Sequence, residues 1–89
     1  TVKSADMITE IQKIVSMNNN VTSCGEFSVI ITNGKIRVSL NCTFDYHFSL
    51  DEVHDIVTLL ESKIFAELKG RYPKLSNVII HAEPSAINN

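Results

Sequence analysis

Phe27-Ser28-Val29-Ile30-Ile31-Thr32-Asn33-Gly34-Lys35-Ile36-Arg37-Val38-Ser39-Leu40 is the stretch from which the architecture can be read. Asn33-Gly34 is the strongest short hairpin signal, because the favoured two-residue turn needs positive φ and both residues accept it. Phe27, Val29 and Ile31 alternate on one side of the turn; Ile36, Val38, Leu40, Cys42 and Phe44 alternate with Arg37, Ser39, Asn41, Thr43 and Asp45 on the other. A two-residue turn pairs Ile31 with Ile36, Val29 with Val38 and Phe27 with Leu40, so both apolar stripes land on one face. If no bulge interrupts it, this register sends Cys24, Glu26, Arg37, Ser39, Asn41, Thr43 and Asp45 to the opposite, more polar face. Cys24 and Cys42 would then point away from each other, and no disulfide could close between them.

Upstream of the hairpin, Met7, Ile8, Ile11, Ile14 and Val15 recur at helical spacing with Glu10, Gln12 and Lys13 between them, which predicts an amphipathic helix over about 4–17. Asn18-Asn19-Asn20 should end it with a left-handed cap. Downstream, Ser49 and Glu52 form a capping box, with Phe48 able to staple onto Val53 across it. Val53, Ile56, Val57, Leu60, Ile64 and Leu68 continue as the apolar stripe of a long helix, which Gly70 should terminate. Tyr72-Pro73 forces an extended turn. Leu75 to Pro84 reads as a last strand, with Val78, Ile80 and Ala82 on one face and Ile79, His81 and Glu83 on the other. The order α-β-β-α-β and the long crossover predict an α+β two-layer sandwich: a three-stranded mixed sheet, its last two strands parallel, with both helices on one face. The other face, carrying Asn41, His81 and Glu83, should stay partly open.

Eighty-nine residues, 44% hydrophobic and 20% charged, suit one folded domain over the whole chain, 1–89, with a core over about 4–84. A net charge of -2 without a basic cluster argues against nucleic acid as a partner. No apolar run approaches the roughly 18 residues of a membrane span. The absence of a methionine before Thr1 suggests a piece excised from a longer protein. Two glycosylation-type triplets, Asn20-Val21-Thr22 and Asn41-Cys42-Thr43, hint at secretion, but the expected separation of the cysteines favours a reduced, cytoplasmic domain.

Chemistry-bearing residues concentrate at two places. His81 and Glu83 lie two apart on the last strand and share a face, while His54 stands near the start of the long helix. Imidazole and carboxylate suit Zn²⁺ or a similar divalent ion. As a bare spacing this set is unspecific, since hydrogen-bonded surface or core histidines and a solvated strand end give it too; His47, in the preceding turn, is a further candidate ligand that reads as exposed. No glycine-rich phosphate loop is present, and no cysteine has a histidine near it in sequence, so catalysis is not expected.

The order of elements, Val53-His54 opening the long helix, Tyr72-Pro73 after it and the ending Val78-Ile79-Ile80-His81-Ala82-Glu83-Pro84 together resemble the cytoplasmic C-terminal domain of cation diffusion facilitator (cation-efflux) transporters. The resemblance runs from about Met7 to Pro84. It implies a ferredoxin-like, metallochaperone-like fold that sits in the cytoplasm below a covalently attached transmembrane transporter and pairs as a homodimer. It also implies divalent metal, Zn²⁺ first, bound through His54, His81 and Glu83 so as to tighten the dimer and favour transport. Two family histidines are missing, their places taken by Gly25 and Asn41, which implies a reduced site; Cys24, beside Gly25, is a further candidate ligand. Two alternatives accompany this reading: a small-molecule-binding regulatory module of ferredoxin-like type, and a purely structural dimerisation module.

Overall fold

The computed structural model describes residues 3–85, and they form α1 (Ser4–Ser16), β1 (Val21–Thr32), β2 (Lys35–Phe44), α2 (Leu50–Lys69) and β3 (Leu75–Pro84). The sheet runs β1-β2-β3, with β1 antiparallel and β3 parallel to the central β2. Asn33 and Gly34 both take positive φ, 53° and 76°, as the tight hairpin turn requires. Alternate residues of β2, Ile36, Val38, Leu40, Cys42 and Phe44, are buried beneath both helices. They meet Met7, Ile11, Ile14 and Val15 of α1, Val57, Leu60, Ile64 and Leu68 of α2, and Leu75, Val78 and Ile80 of β3. Burying such side chains contributes about 1.5–3 kcal/mol each, so the covered face of the sheet carries the stability. Ala82 continues the inward stripe of β3 but is exposed, bordering a hollow between the strand end and the start of α2.

The long helix starts as its sequence dictates. Ser49 Oγ accepts from the Glu52 N–H at 3.1 Å, and the Glu52 carboxylate accepts from the Ser49 N–H at 2.9 Å. The Ser49 N–H, with the Ser49 hydroxyl adding to it, holds the Glu52 carboxyl below the ordinary glutamate range. At the far end, Lys69 donates to the Pro73 and Leu75 carbonyls, each at 2.7 Å, tying the helix end to the start of β3. Glu61 accepts from the Ile80 N–H at 2.9 Å, which gives α2 a polar hold on β3.

Three expectations are corrected. The Asn18-Asn19-Asn20 triplet ends α1 without a left-handed cap: positive φ among the described non-glycine residues is confined to Glu26 and Asn33. Instead Asn18 Oδ1 accepts from the Asn20 N–H at 2.9 Å, closing a local turn. The hairpin register holds from Ile31↔Ile36 to Ser28↔Ser39 and then slips, so that Gly25 faces Asn41 and Cys24 faces Cys42. Glu26 and Phe27 together oppose Leu40; this is a β-bulge, with Glu26 at φ 50°. A second irregularity at Thr22 follows before Val21↔Phe44. As a result Cys24 and Cys42 do not occupy opposite faces: they are direct cross-strand partners, and Cys24 packs against the core.

Candidate metal site

Parallel pairing of β2 with β3 sets Asn41 beside His81 and Thr43 beside Glu83, all on the face away from the helices. The bulge then adds a residue that periodicity had not singled out. Because Glu26 sits in the left-handed region, its carboxylate reaches across the sheet to Asn41. The Asn41 Nδ2 group donates both to Glu26 and to Glu83, so one half-buried amide bridges two exposed carboxylates. Nearby hydroxyls bind the strands together: Thr22 to Thr43 at 2.6 Å, Ser23 to Thr43 at 2.6 Å and Thr22 to Ser85 at 2.8 Å. Ser23, Gly25, Glu26, Asn41, Thr43 and Glu83 line a shallow recess of about 200 Å³, which Cys24 also borders while packing against the core.

His54 is on α2, and exposed there. Its groove is a different one, shared with Asp55, Thr58, Leu59, Ser62 and Lys63. Topology nonetheless brings it to the same end of the molecule, since α2 begins six residues after Phe44 and Phe44 pairs with Pro84. Between the two lies an apolar hollow of about 250 Å³ where Leu50 and Val53 of α2 meet Ala82, Glu83 and Pro84 of β3. His81, exposed on the open face, lies two residues from Glu83. Among the described residues no three His, Cys, Asp or Glu side chains converge as a preformed ion site within one chain. The donors themselves, imidazole nitrogen and carboxylate oxygen, fit a Zn²⁺-type ion; what one chain lacks is their convergence.

His47 is engaged elsewhere. Its Nδ1 lies 2.8 Å from Asp45 and its ring stacks on Phe48 with centroids 4.5 Å apart. The hydrogen bond from His47 holds the Asp45 carboxyl below the ordinary range.

Residues 4–85 match the family model described as the cytoplasmic domain of cation efflux proteins. The chain belongs to this family. No curated protein matches it directly by sequence. Among solved structures it is similar to the metal-bound C-terminal domain of the CzcD transporter from Thermotoga maritima, with TM-score 0.77, 18% identity, and 91% of this chain and 90% of that one covered. A cytosolic domain of a cation diffusion facilitator family protein gives TM-score 0.73 at 22% identity, covering 91% and 92%. CzrB, described as a candidate zinc transporter, gives TM-score 0.73 at 14% identity, covering 97% and 100%. These likenesses show that the fold is shared. No described helix of this cation-efflux domain is long and apolar enough to cross a membrane.

Of the residues singled out from sequence, then, His81 and Glu83 share the open face with Asn41, while His54 stands at the same end in a separate groove. The alternation puts Glu26 on the polar face but does not foresee its bond to Asn41, because a left-handed glutamate has no signature in periodicity. The available sign was the isolated Gly25 beside it, since glycine inside a strand often marks a bulge.

Proposed function

We propose that this domain is the metal-responsive, homodimeric regulatory part of a divalent-cation efflux transporter, attached at the cytoplasmic side to a transmembrane portion. Divalent metal of the Zn²⁺ type is bound by His54, His81 and Glu83, with water or a ligand from a second copy completing the set, and its binding stabilises the dimer and favours transport. The observation that carries this reading is the placement of His81 and Glu83 on the open face at the end of β3, beside the start of α2. The metal-bound state of the CzcD domain, which shares this fold, supports it. Two copies meeting at this end would supply the convergence that one chain lacks.

Calorimetric titration of Zn²⁺ into the chain and into His81→Ala, with sedimentation on the same samples, tests it. The expected result is binding that strengthens dimerisation in the parent and is lost in the variant. Equal binding by both would remove His81 from the site.

One observation favours a second reading, a dimerisation module without metal: the Asn41 amide already satisfies both Glu26 and Glu83. Under that reading Zn²⁺ changes neither melting temperature nor association.

A further inference from the structure

Cys24 and Cys42 are directly opposed in the antiparallel ladder of β1 and β2. Directly opposed residues point to the same side of the sheet, with Cα atoms about 4.5–5.5 Å apart. A disulfide needs about 4.4–6.8 Å between Cα atoms, so the backbone spacing already suits one. Both side chains belong to the core side: Cys42 has no exposed surface and the half-buried Cys24 packs on the same cluster. Both thiols are free. Their pairing depends on the inserted residue at Glu26, without which Cys24 would oppose Thr43 and face the other way. Irregularities flank the pair at Thr22 and at Glu26–Phe27, and β1 is an edge strand. A ladder interrupted on both sides lets the short strand segment between them shift toward β2, so that the two Cβ atoms can close the last ångström or so.

We propose that Cys24 and Cys42 form a reversible intrachain dithiol–disulfide site, oxidised by a small-molecule disulfide of the glutathione class. Cys24, the partly exposed thiol, is the one such a molecule reaches. Its thiolate attacks one sulfur of the small disulfide, forming a mixed disulfide and releasing one small thiol. The Cys42 thiolate, its proton lost to water, then attacks the Cys24 sulfur and expels the second small thiol. Two protein thiols are oxidised and one small disulfide is reduced to two thiols. Burial raises the pKa of both cysteines, that of Cys42 to about 12 with the neighbouring Cys24 adding to the rise. Few thiolates therefore exist near neutral pH, and the exchange is slow. Such a site registers sustained oxidation rather than brief pulses. The inference rests on the hairpin alone and uses none of His54, His81 and Glu83.

The test equilibrates the chain with mixtures of reduced and oxidised glutathione, natively and in denaturing urea, followed by alkylation, mass spectrometry and non-reducing electrophoresis. The expected native product is two hydrogen atoms lighter than the dithiol, migrates as a single chain and is restored by dithiothreitol. Because the fold holds the pair in register, the disulfide-to-dithiol ratio should be at least about tenfold higher natively than in urea. Cys42→Ser should stop at a glutathione adduct on Cys24. A native ratio no higher than in urea, an adduct on Cys24 that never resolves in the parent chain, or an interchain product would overturn the proposal. An unmodified Cys24 in Cys42→Ser would overturn the assigned order of attack.

Discussion

Asn41 decides what the open face can do, because it occupies the register position beside His81 and holds two carboxylates through one amide nitrogen. A metal ion that takes Glu83 must share that carboxylate with Asn41 or displace the amide. Asn41→His removes this competition and adds an imidazole beside His81. It should tighten Zn²⁺ binding in calorimetry, and unchanged affinity with the fold intact would show that the ion sits elsewhere. Binding through histidine should also weaken in acid, since the imidazole ring must be neutral to ligate. The capping box gives a separate prediction at this scale. Ser49→Ala should cost about 1 kcal/mol in urea unfolding, because it strips an acceptor from the first turn of α2. The Glu52 carboxyl is held below its ordinary value, so its contribution is complete above the unfolded pKa of about 4.3 and lost as pH falls through the lowered folded one. The stability gap between the parent and Glu52→Ala should therefore shrink in acid, as read from urea midpoints at neutral and low pH.

At the scale of elements, the bulge in β1 divides what could be read in advance from what could not. Asn33-Gly34, the alternation around it, the α2 capping box and the ending of β3 are local signals, and each element they specify formed where its residues required. Alternation carries no count of inserted residues. A strand that slips by one at Glu26 keeps Phe27 and Val29 on the core and changes only what lies beyond the slip, which is how Cys24 crossed to the core side. The asparagine triplet misled for a related reason: asparagine tolerates the left-handed region, but Asn18 found a side-chain bond to the Asn20 N–H instead. His81 and Glu83 were legible because a two-residue spacing on a strand leaves no choice of face, whereas the reach of Glu26 to Asn41 depends on one backbone angle. Substitution tests the bulge. At φ 50°, Glu26→Val should lower stability by about 1–2 kcal/mol, and Glu26→Gly should lower it far less or raise it. Equal losses in both would mean that the carboxylate bond to Asn41, not backbone strain, dominates at this position.

For the whole molecule the proposed homodimer raises the question of which surface a second copy would cover. The open face of the sheet carries Ile30, 52% exposed, and the half-buried Ile79 among Ser28, Arg37, Ser39 and Asn77, a thin apolar supply for a stable interface. The outer face of α2 carries Leu59, 71% exposed, in the groove that holds His54. A dimer built on the sheet face would leave His54 dependent on water, whereas one built across the α2 groove would bring a partner's donors to it. Two variants separate these outcomes: Ile79→Lys charges the sheet face and Leu59→Glu charges the helix groove, and neither residue belongs to the core cluster. Because neither patch is large, association should be weak without metal and should tighten on adding Zn²⁺, as read by sedimentation velocity across a range of concentrations. Loss of the Zn²⁺-dependent dimer in Ile79→Lys alone would place the interface on the sheet, and loss in Leu59→Glu alone would place it on α2. Sedimentation as a monomer at every concentration, with and without Zn²⁺, would sink the homodimer itself and with it the proposal that a second copy completes the metal site.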